Sequence, residues 1–536
     1  MKGACIRHTE LPSTSRLFAD FLYDFDKVSR FYAHPPQTGA IADAARAVRL
    51  EPSRRRALVD ALAAQNGDGG AEVNEHLDLL SRPETVVVVT GQQVGLYGGP
   101  VFSLYKALTA AKLAVQLTAQ GVPAVPVFWL ATEDHDLEEV DHGWVFDADG
   151  SPRKLEVKAA AHAQQPVGGL RITEDSNRAL AEALGVLPYA GDALALARSS
   201  YGDTCSFQSG FQALMRQLTG PWGLLFLDPM RSVIRELAAP TVREAIERMP
   251  ELSAALIERG NDLAHAGYHA QVHFTNETSL VFLMDQDRRI ALSRFDGVYA
   301  GAGGVRLTSD ELIARLDSDP ESISPNALLR PVVQDLILPT AVYVGGPAEL
   351  AYLAQSQVIY QRILGRAPVV LPRASFTVLD ARAGKLLGRY GLTVKDCLTK
   401  THDLKQQISA RLIPPDLNQS FETAQASLAQ TLDGLGAAIG SFDQSLGAAF
   451  EKSRRKMFHQ FEKSRRKTAR ESLLRDGRAE RDAEYLSNLI FPREAQQERV
   501  YSPLAFTAKY GRGFAERIYE NTHLDCHDHV VLHQPD

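Results

Sequence analysis

Short apolar runs recur along the first 375 residues, and polar or glycine-bearing turns follow them. The first run, 85–90 (TVVVVT), leads through the turn 91–100 (GQQVGLYGGP) into an amphipathic stretch that predicts a helix from Val101 to about Gln120. A second apolar run, 125–130 (VPVFWL), comes next. A strand, a helix and a strand in this order form a βαβ unit, which requires a parallel sheet.

Three further apolar runs extend this pattern. They lie at 223–227 (GLLFL), 341–344 (AVYV) and 368–371 (PVVL), and a helical stretch follows each of the first two. Unbroken apolar runs of this length are typical of strands that are buried on both faces. The sequence therefore predicts an α/β fold with one doubly wound parallel sheet, interrupted by inserted subdomains at about 145–205 and 268–320.

The chain becomes helical after about residue 376, and Pro414-Pro415 breaks the helical pattern once. Beyond the break, apolar residues recur in steps of four and three from Leu428 to Leu446, which is the heptad pattern of a coiled coil. Each glycine in a helix interior destabilises it by about 1 kcal/mol. Glycines at 434, 436, 440 and 447 therefore predict that this helix needs a partner helix, in the same chain or in a second subunit.

Mixed structure returns from about residue 475. We expect three parts: a core at 1–375, a helical arm at 376–474, and a C-terminal segment at 475–536 that packs on the core.

Composition narrows the class of protein. The chain has 536 residues, ordinary globular proportions and a net charge of −7, which disfavours a protein coated in basic charge for nucleic-acid binding. The four cysteines are far apart and form no CxxC pair, which suits a reducing compartment. No signal-peptide pattern and no run of 18 apolar residues occurs, so we expect a cytoplasmic protein without a membrane span.

Polar, glycine-bearing or charged segments follow four of the predicted strands, at 90–100, 132–136, 343–349 and 371–373. Each glycine turn alone is typical of a simple tight turn. Because ligands bind beyond the carboxyl ends of parallel strands, we expect the four segments to form one crevice. Its candidate binding residues are Thr90, Gln92, Gln93, Gly95, Gly98, Gly99, Glu133, Tyr343, Gly345, Gly346, Glu349 and Arg373.

The glycine turns predict anion sites. Pro100 suits the first position of a helix, whose N-terminal amides and dipole favour an anion, and the same argument applies to the turn at 345–347. Lys106 lies six residues beyond Pro100, a position that we expect to be too far along the helix to reach that anion. Neither GxGxxG nor GxxxxGK[ST] is present, which disfavours a standard NAD dehydrogenase and a P-loop kinase.

Four ionisable residues, Glu133 to Asp136, directly follow the second strand. Asp134, His135 and Asp136 are candidate general bases, and the segment also suits binding of an amine or another cation. A metal site completed by Glu138 or His142 and a solvent-exposed turn are the alternatives. Neighbouring carboxylates around one histidine are not a specific ligand pattern, so we predict no metal here.

The segment 324–339 (SPNALLRPVVQDLILP) places polar residues among apolar neighbours. Asn326, Arg330, Gln334 and Asp335 are candidate binding residues. Arg330 and Gln334 are four residues apart and share a helical face. A structural alternative is that Asp335 orients Arg330.

Two further features carry alternatives. Histidines, Asp525, Cys526 and Asp528 crowd 523–533, where a frayed chain end competes with a metal site. EKSRRK occurs at 451–456 and at 462–467, and the spacing of 11 residues gives both copies one basic helical face. That face is either a solvated surface or a site for an anion, an acidic partner or nucleic acid.

Three long stretches carry a family resemblance: 90–114 (TGQQVGLYGGPVFSLYKALTAAKLA), 125–136 (VPVFWLATEDHD) and 330–355 (RPVVQDLILPTAVYVGGPAELAYLAQ). They resemble the cysteine ligase family of bacillithiol biosynthesis, the BshC family, and the resemblance covers essentially the whole chain. It implies a Rossmann-like core with connecting inserts, similar to class I aminoacyl-tRNA synthetases, a long antiparallel coiled coil and a homodimer. The implied reaction is the last step of the pathway, in which L-cysteine is joined to glucosaminyl malate.

The resemblance names substrates without naming a base or an activating cofactor. If ATP activates the cysteine carboxyl, its phosphates need the amides and cations of the turns at 91–100 and 345–347. Arg330 or Arg373 would bind the malate carboxylates. HIGH and KMSKS, the synthetase signatures, are absent, which puts adenylation by the synthetase route in doubt. The alternatives are a nucleic-acid-binding protein that uses the basic arm and a non-catalytic dimeric scaffold.

Overall fold

The computed structural model describes residues 4–147, 149–159, 164–172, 176–202 and 204–534. The gaps at 148, 160–163, 173–175 and 203 fall inside the predicted first insert, so those parts of the prediction lie outside the described residues. The described strands are β1 Ala4–Ile6, β2 Val86–Gln92, β3 Ala124–Leu130, β4 His142–Phe146, β5 Pro152–Glu156, β6 Leu225–Leu227, β7 Thr278–Asp285, β8 Arg288–Phe295, β9 Val298–Gly301, β10 Val305–Thr308, β11 Ile323–Pro325, β12 Thr340–Gly345, β13 Val369–Pro372, β14 Phe376–Leu379 and β15 His529–His533.

The helices carry most of the remaining chain. The described α-helices are α1 Arg16–Tyr23, α2 Ile41–Ala47, α3 Pro52–Asn66, α4 Ala71–Leu80, α5 Phe102–Ala119, α6 Ser176–Leu184, α7 Ala190–Ser200, α8 Phe207–Thr219, α9 Ser232–Glu247, α10 Met249–His265, α11 Ser309–Ser318, α12 Arg330–Ile337, α13 Pro347–Ile363, α14 Ala381–Tyr390, α15 Val394–Cys397, α16 Thr401–Arg411, α17 Pro415–Phe442, α18 Gln444–Arg475, α19 Gly477–Ile490, α20 Pro503–Tyr510 and α21 Phe514–Glu520. No helix among the described residues is both long and apolar enough to cross a membrane.

The chain forms two units. The core unit comprises 1–148, 152–377 and 498–530, and the arm unit comprises 149–151, 378–497 and 531–536. The arm unit is thus largely an insertion in the core sequence, and the predicted C-terminal segment 475–536 is divided between the two units.

A five-stranded parallel sheet organises the core unit. Its order is β13-β12-β2-β3-β6, and every neighbouring pair is parallel. Numbered along the chain, these strands have the order 5-4-1-2-3, which is the order of the first five strands of a Rossmann fold, and the topological switch point lies between β2 and β12. The predicted Rossmann-like doubly wound sheet is confirmed.

Both faces of the sheet are buried, which explains the unbroken apolar runs. Val87, Val89 and Val127 pack into the large cluster on one face, while Val86 and Val88 pack with α5 on the other. A second, antiparallel sheet has the order β10-β9-β8-β7-β11, and its strands β7 to β10 lie within the predicted second insert at about 268–320.

In the arm unit, α17 and α18 form the predicted antiparallel coiled coil. The chain reverses at Asp443, whose carboxylate caps α18 by accepting from the amides of Ser445 and Leu446. Phe421 and Phe461 pack across the pair with ring centroids 5.7 Å apart. A Cβ on Gly447 would lie 3.0 Å from Cα of Gly440, so these glycines allow the two helices to approach closely.

Both EKSRRK copies lie on α18, and the arginine at the fourth position of each copy contacts α17. Arg454 bonds to Asp433 on α17, and Arg465, at the equivalent position of the second copy, donates to Oδ1 of Asn418, also on α17, at 2.8 Å. One arginine of each copy therefore joins the two helices, which favours a structural role for this position of the repeat.

Candidate functional site

A cavity of about 500 Å³ lies at the carboxyl ends of the central strands, at the switch point between β2 and β12. We call it the crevice. All four predicted strand-end segments and the start of α12 contribute to its wall, and the segment at 371–373 does so through Arg373. Its lining residues are Gly91, Gln92, Gln93, Gly95, Gly99, Pro100, Phe102, Lys106, Trp129, Ala131, Asp134, Glu139, Arg330, Tyr343, Ala348, Glu349, Tyr352, Arg373 and Arg499.

The amides of the glycine-rich turn are bonded inside the fold. The Gly98 N–H donates to the Tyr201 hydroxyl at 3.2 Å, Gly99 to the Leu96 carbonyl at 3.0 Å, and Val101 to a backbone carbonyl at 2.7 Å. Gly98 adopts φ 85°, and a Cβ there would lie 3.2 Å from the Pro503 ring. The prediction that backbone amides of this turn bind an anion is therefore wrong for Gly98, Gly99 and Val101.

The second glycine turn is occupied in a similar way. The Gly346 N–H donates to Oε2 of Glu349 at 2.7 Å, so the carboxylate of the helix itself caps the N-terminus of α13. The Gly345 carbonyl accepts from the Arg373 N–H at 2.9 Å. These two glycines position Glu349 and Arg373, which line the crevice. Gly345 and Gly346 themselves do not line it.

Lys106 reaches the crevice, contrary to the expectation from its distance along the helix. Its ammonium donates to the Gly91 carbonyl at 3.0 Å and to Oε1 of Gln92 at 2.8 Å, and it pairs with Glu349. Burial lowers the pKa of Lys106, although the Glu349 carboxylate opposes that shift. Since α5 runs back beside β2, its second turn faces the end of the strand.

Three cations gather around one aromatic ring of the crevice. Lys106, Arg373 and Arg499 lie 5.6, 5.1 and 5.9 Å from the centroid of the Phe102 ring. The electron-rich ring face attracts each cation. The three donors of the Lys106 ammonium already bond to Gly91, Gln92 and Glu349, whereas the guanidinium groups of Arg373 and Arg499 carry five N–H donors each. Side-chain cations, rather than backbone amides, give this wall its positive charge.

Arg373 is fixed from behind by a buried carboxylate. Its Nη2 lies 2.6 Å from Oε1 of Glu498, which is 1% exposed and also accepts from the Ser375 hydroxyl and the Phe376 N–H. Burial alone would raise the pKa of the Glu498 carboxyl, but the Arg373 guanidinium outweighs burial and holds that pKa at about 2. The pair is therefore ionised at neutral pH.

His529 lies behind this pair. Its Nδ1 is 2.6 Å from the Ser375 hydroxyl and its Nε2 is 2.8 Å from the Thr377 hydroxyl. Because Ser375 donates its proton to Glu498, Nδ1 donates to Ser375, and Nε2 accepts from Thr377. Burial lowers the pKa of His529 to about 4, so the imidazole is neutral at pH 7.

Arg330 begins α12 and is held in place by two neutral groups. Its Nη2 donates to the Tyr352 hydroxyl at 2.7 Å, and its Nη1 lies 3.4 Å from Oε1 of Gln334. Gln334 in turn donates to Asp335 at 3.2 Å, and Asp335 accepts from Tyr360 at 2.6 Å. Asp335 thus acts on Arg330 through Gln334, and the helical face predicted for Arg330 and Gln334 is present.

A second cavity, of about 390 Å³, adjoins the crevice and shares Ala131, Asp134 and Arg330 with it. We call it the side cavity. Its other lining residues are Glu133, His135, Val272, Thr278, Ser279, Val281, Phe282, Arg289, Ala291, Leu292, Pro325, Asn326 and Ala327.

Asp134 is oriented at the junction of the two cavities. Its Oδ2 accepts from Nε2 of Gln93 at 2.7 Å and its Oδ1 accepts from the His135 N–H at 2.8 Å. Nδ1 of His135 lies 3.8 Å from Oδ1 of Asp134 and accepts no hydrogen bond among the described residues. The junction therefore presents the Asp134 carboxylate and the Arg330 guanidinium to both cavities, and the His135 imidazole to the side cavity.

Several predicted residues lie outside the two cavity linings. Thr90 donates to the Val344 carbonyl at 2.8 Å between strands, and Asp136 is exposed. Asn326 lines the side cavity, but its Oδ1 accepts from the amides of Leu328 and Leu329, which also makes it a cap before α12. The predicted members outside both linings are Thr90, Asp136, Gly98, Gln334, Asp335, Gly345 and Gly346.

The residues that sequence reasoning missed come from distant parts of the chain. Arg289 comes from the antiparallel insert and Arg499 from beyond the arm unit, and no local pattern marks either. Glu139 and Tyr352 could have been found, since each lies a few residues beyond a predicted strand-end segment.

The histidine-rich C-terminal segment is ordered. His529 to His533 form β15, and the first four of these residues are buried, so the frayed-end interpretation is wrong through Gln534. No cluster of three or more metal-ligating side chains occurs among the residues that the structure describes.

Comparisons with known proteins agree with the resemblance found in the sequence. Residues 1–374 match the family model described as "Bacillithiol biosynthesis BshC, N-terminal Rossmann-like domain", and residues 376–534 match its "C-terminal coiled-coil domain". A protein of Solibacter usitatus is 44% identical over 99% of this chain and 100% of its own length. Proteins of Koribacter versatilis and Salinibacter ruber are 36% and 32% identical over 98% and 96% of this chain, and 99% and 96% of their own lengths. All three are named "Putative cysteine ligase BshC".

Proposed function

Because this chain belongs to the BshC family of bacillithiol biosynthesis, we propose that it is a ligase that forms an amide between the carboxyl group of L-cysteine and the amine of glucosaminyl malate. The observation that carries the proposal is the pair of adjoining cavities, which meet at Asp134 and Arg330. A ligase must hold two molecules with their reacting groups in contact, and two cavities with a common wall meet that requirement.

The crevice suits the malate end of glucosaminyl malate. Two carboxylates need cations with donors to spare, and the guanidinium groups of Arg373 and Arg499 lie together around Phe102, with the positive charge of Lys106 beside them. Arg373 is rigid because Glu498 holds it from behind, so little side-chain freedom is lost when it binds.

The amine must lose a proton before it attacks the carboxyl carbon. We assign that proton to His135, whose Nδ1 has no hydrogen-bond partner among the described residues, and the positioning of the resulting imidazolium to Asp134, 3.8 Å away. Asp136, the third predicted base, is exposed and lines neither cavity.

Joining a carboxylate to an ammonium releases one water, and this step needs an activating co-reactant. We propose ATP for that role on chemical grounds, with its hydrolysis accepting the water. The amides of Gly98, Gly99, Val101 and Gly346, which were the expected phosphate cradle, are already bonded within the protein. The glycine turns therefore do not fit a triphosphate, and no step of the reaction is assigned to them.

The proposed function is tested with purified protein. Incubation with L-cysteine, glucosaminyl malate and ATP should give bacillithiol, detected by mass spectrometry, and omission of any one component should abolish the product. Absence of product from folded protein, both alone and with cell extract, would contradict direct catalysis. Deletion of the gene should also abolish cellular bacillithiol, and normal levels would refute the pathway assignment.

The base assignment has its own test. Asp134→Asn and His135→Asn should each lower kcat by about 100-fold or more, the usual range for loss of general base catalysis. Glu138→Gln is the matched control, because Glu138 is exposed in the same segment and lines neither cavity. Full kcat in His135→Asn would contradict the assignment of the proton.

We further propose that the protein is a cytoplasmic homodimer. Its four cysteines are free, which suits a reducing compartment. Leu435, Phe442 and Leu446 of the coiled coil are exposed, Phe442 by 84%, and apolar side chains of this size favour contact with a second copy. Sedimentation equilibrium should show a dimer for the wild type and a monomer for Phe442→Glu. A wild-type monomer at micromolar concentration would contradict the dimer.

A further inference from the structure

The side cavity differs from the crevice in its charge. Its charged lining consists of two carboxylates, Glu133 and Asp134, and two guanidinium groups, Arg289 and Arg330, so the formal charges cancel. The lining of the crevice instead has four cations, Lys106, Arg330, Arg373 and Arg499, against three carboxylates, Asp134, Glu139 and Glu349, so one positive charge is left over. Three of those cations surround Phe102. A balanced pair of opposite charges in a small cavity matches a zwitterion better than a dicarboxylate.

Glu133 supplies the negative end. The residue is only 3% exposed, lines the side cavity and faces Arg235 with 3.0 Å between Oε2 and Nη2. Neither of its oxygens accepts a well-directed hydrogen bond among the described residues. A buried carboxylate with unused acceptors is costly unless a ligand donor completes it, and an ammonium group carries three donors.

Arg289 supplies the positive end and is rigidly held. Its Nε donates to the Ser324 hydroxyl at 3.1 Å and its Nη2 donates to the Pro325 carbonyl at 2.8 Å. Its Cζ lies 4.1 Å above the Phe282 ring, which also lines the side cavity. The remaining nitrogen, Nη1, lies 3.9 Å from Asp134 at the junction, so the guanidinium presents its last donors towards the common wall.

Between these charged groups the wall is largely apolar. Val281, Phe282, Leu292 and Pro325 offer a surface for a small, weakly polar side chain, which describes a thiol. A volume of about 390 Å³ accommodates an amino acid together with solvent.

We propose that the side cavity binds the amino-acid substrate as its zwitterion, with the ammonium at Glu133, the carboxylate towards Arg289 and Arg330, and the thiol on the apolar wall. This inference rests on the proposed function and deepens it, because it assigns cysteine to one cavity and leaves the crevice to glucosaminyl malate. In this arrangement the cysteine carboxyl faces the junction, where the amine of the second substrate arrives.

Filling the side cavity tests the proposal with little risk to folding. Ala291 and Ala327 both line the cavity and are both exposed, so Ala291→Phe and Ala327→Phe add volume there without entering the core. Ser293→Phe is the matched control, because Ser293 is exposed two residues further along β8 and does not line the cavity. Titration calorimetry with L-cysteine on the full-length chain should show at least tenfold weaker binding in both alanine variants and less than a twofold change in the control.

The charged ends are tested by ligand chemistry. N-acetyl-L-cysteine lacks the ammonium and cysteamine lacks the carboxylate, and each should bind at least tenfold more weakly than L-cysteine. Glu133→Gln should weaken binding of L-cysteine at least tenfold and leave that of N-acetyl-L-cysteine within twofold. Equal weakening of both ligands would mean that Glu133 acts through the fold and would overturn its contact with the ammonium.

The outcomes separate this inference from the proposed function. If bacillithiol forms and both phenylalanine variants retain the wild-type affinity and KM for cysteine, the inference fails and the function stands. If no product forms while cysteine binding responds to the variants as described, the function fails and the amino-acid site stands.

Discussion

Acidification should destabilise the core unit through His529. In the folded protein its pKa is about 4, because the ring is buried between Ser375 and Thr377, whereas the unfolded chain has an ordinary value near ~6.5. The unfolded state therefore binds the proton more tightly, so this stability is fully present above pH ~6.5 and is lost as pH falls towards 4. At about 1.4 kcal/mol per pKa unit the full loss is roughly 3 kcal/mol, and about 2 kcal/mol of it falls between pH 7 and pH 5.

Replacement by an amide isolates this contribution. The amide of His529→Asn can still donate to Ser375 but does not titrate. Urea unfolding followed by tryptophan fluorescence reports on the core unit, because Trp129, Trp144 and Trp222 all belong to it. Between pH 7 and pH 5 the wild type should lose about 2 kcal/mol more than the variant.

An exposed histidine of the core unit provides the control for His529. His523→Asn removes an exposed histidine of the same unit and should keep the wild-type loss. An equal loss in His529→Asn and in the wild type would refute the argument that burial of this imidazole makes the core sensitive to acid.

Three further predictions follow from single contacts. Glu498→Gln leaves Arg373 without its buried counter-ion, so the free energy of unfolding, measured by urea titration, should fall by about 3–5 kcal/mol; a loss below about 1 kcal/mol would contradict the pairing. Lys106→Met removes a positive charge from the crevice and leaves Gln92 and Glu349 without their partner, so kcat/KM for glucosaminyl malate should drop about 10–100-fold in steady-state assays, whereas an unchanged value would remove Lys106 from the binding site. Gly447→Leu forces the facing helix backbone away and should cost about 1–3 kcal/mol by circular dichroism, while Gly434→Ala, which meets no atom within 4 Å, should be neutral or stabilising; equal effects would contradict the close helix approach.

The parallel sheet and its crevice could be predicted from the sequence because both depend on local patterns. Parallel strands that are buried on both faces have unbroken apolar sequences, and a ligand site beyond their carboxyl ends follows from the topology of the sheet. Gln92, Gln93, Asp134, Arg330 and Arg373, named from those patterns, all line the crevice.

The parts that could not be predicted depend on contacts between distant residues. Whether a glycine amide is free depends on neighbours such as Tyr201, which lies 103 residues from Gly98. Distance along the helix does not predict the reach of Lys106, because the end of β2 lies beside that helix. Arg289 lines the side cavity and Arg499 lines the crevice, but each comes from a segment far along the chain, where no sequence pattern predicts a site residue.

The insertion of the arm unit within the core sequence has a consequence for synthesis on the ribosome. Glu498 follows Arg373 by 125 residues, and most of that interval is the arm unit. At about 5–20 residues per second, the nascent chain carries Arg373 for roughly 6–25 s before its counter-ion has been made. During that time Arg373 has no buried counter-ion. The helix pair α17–α18, which lies wholly within 378–497, can form before Glu498 is made, whereas the Arg373 wall of the crevice is completed only afterwards.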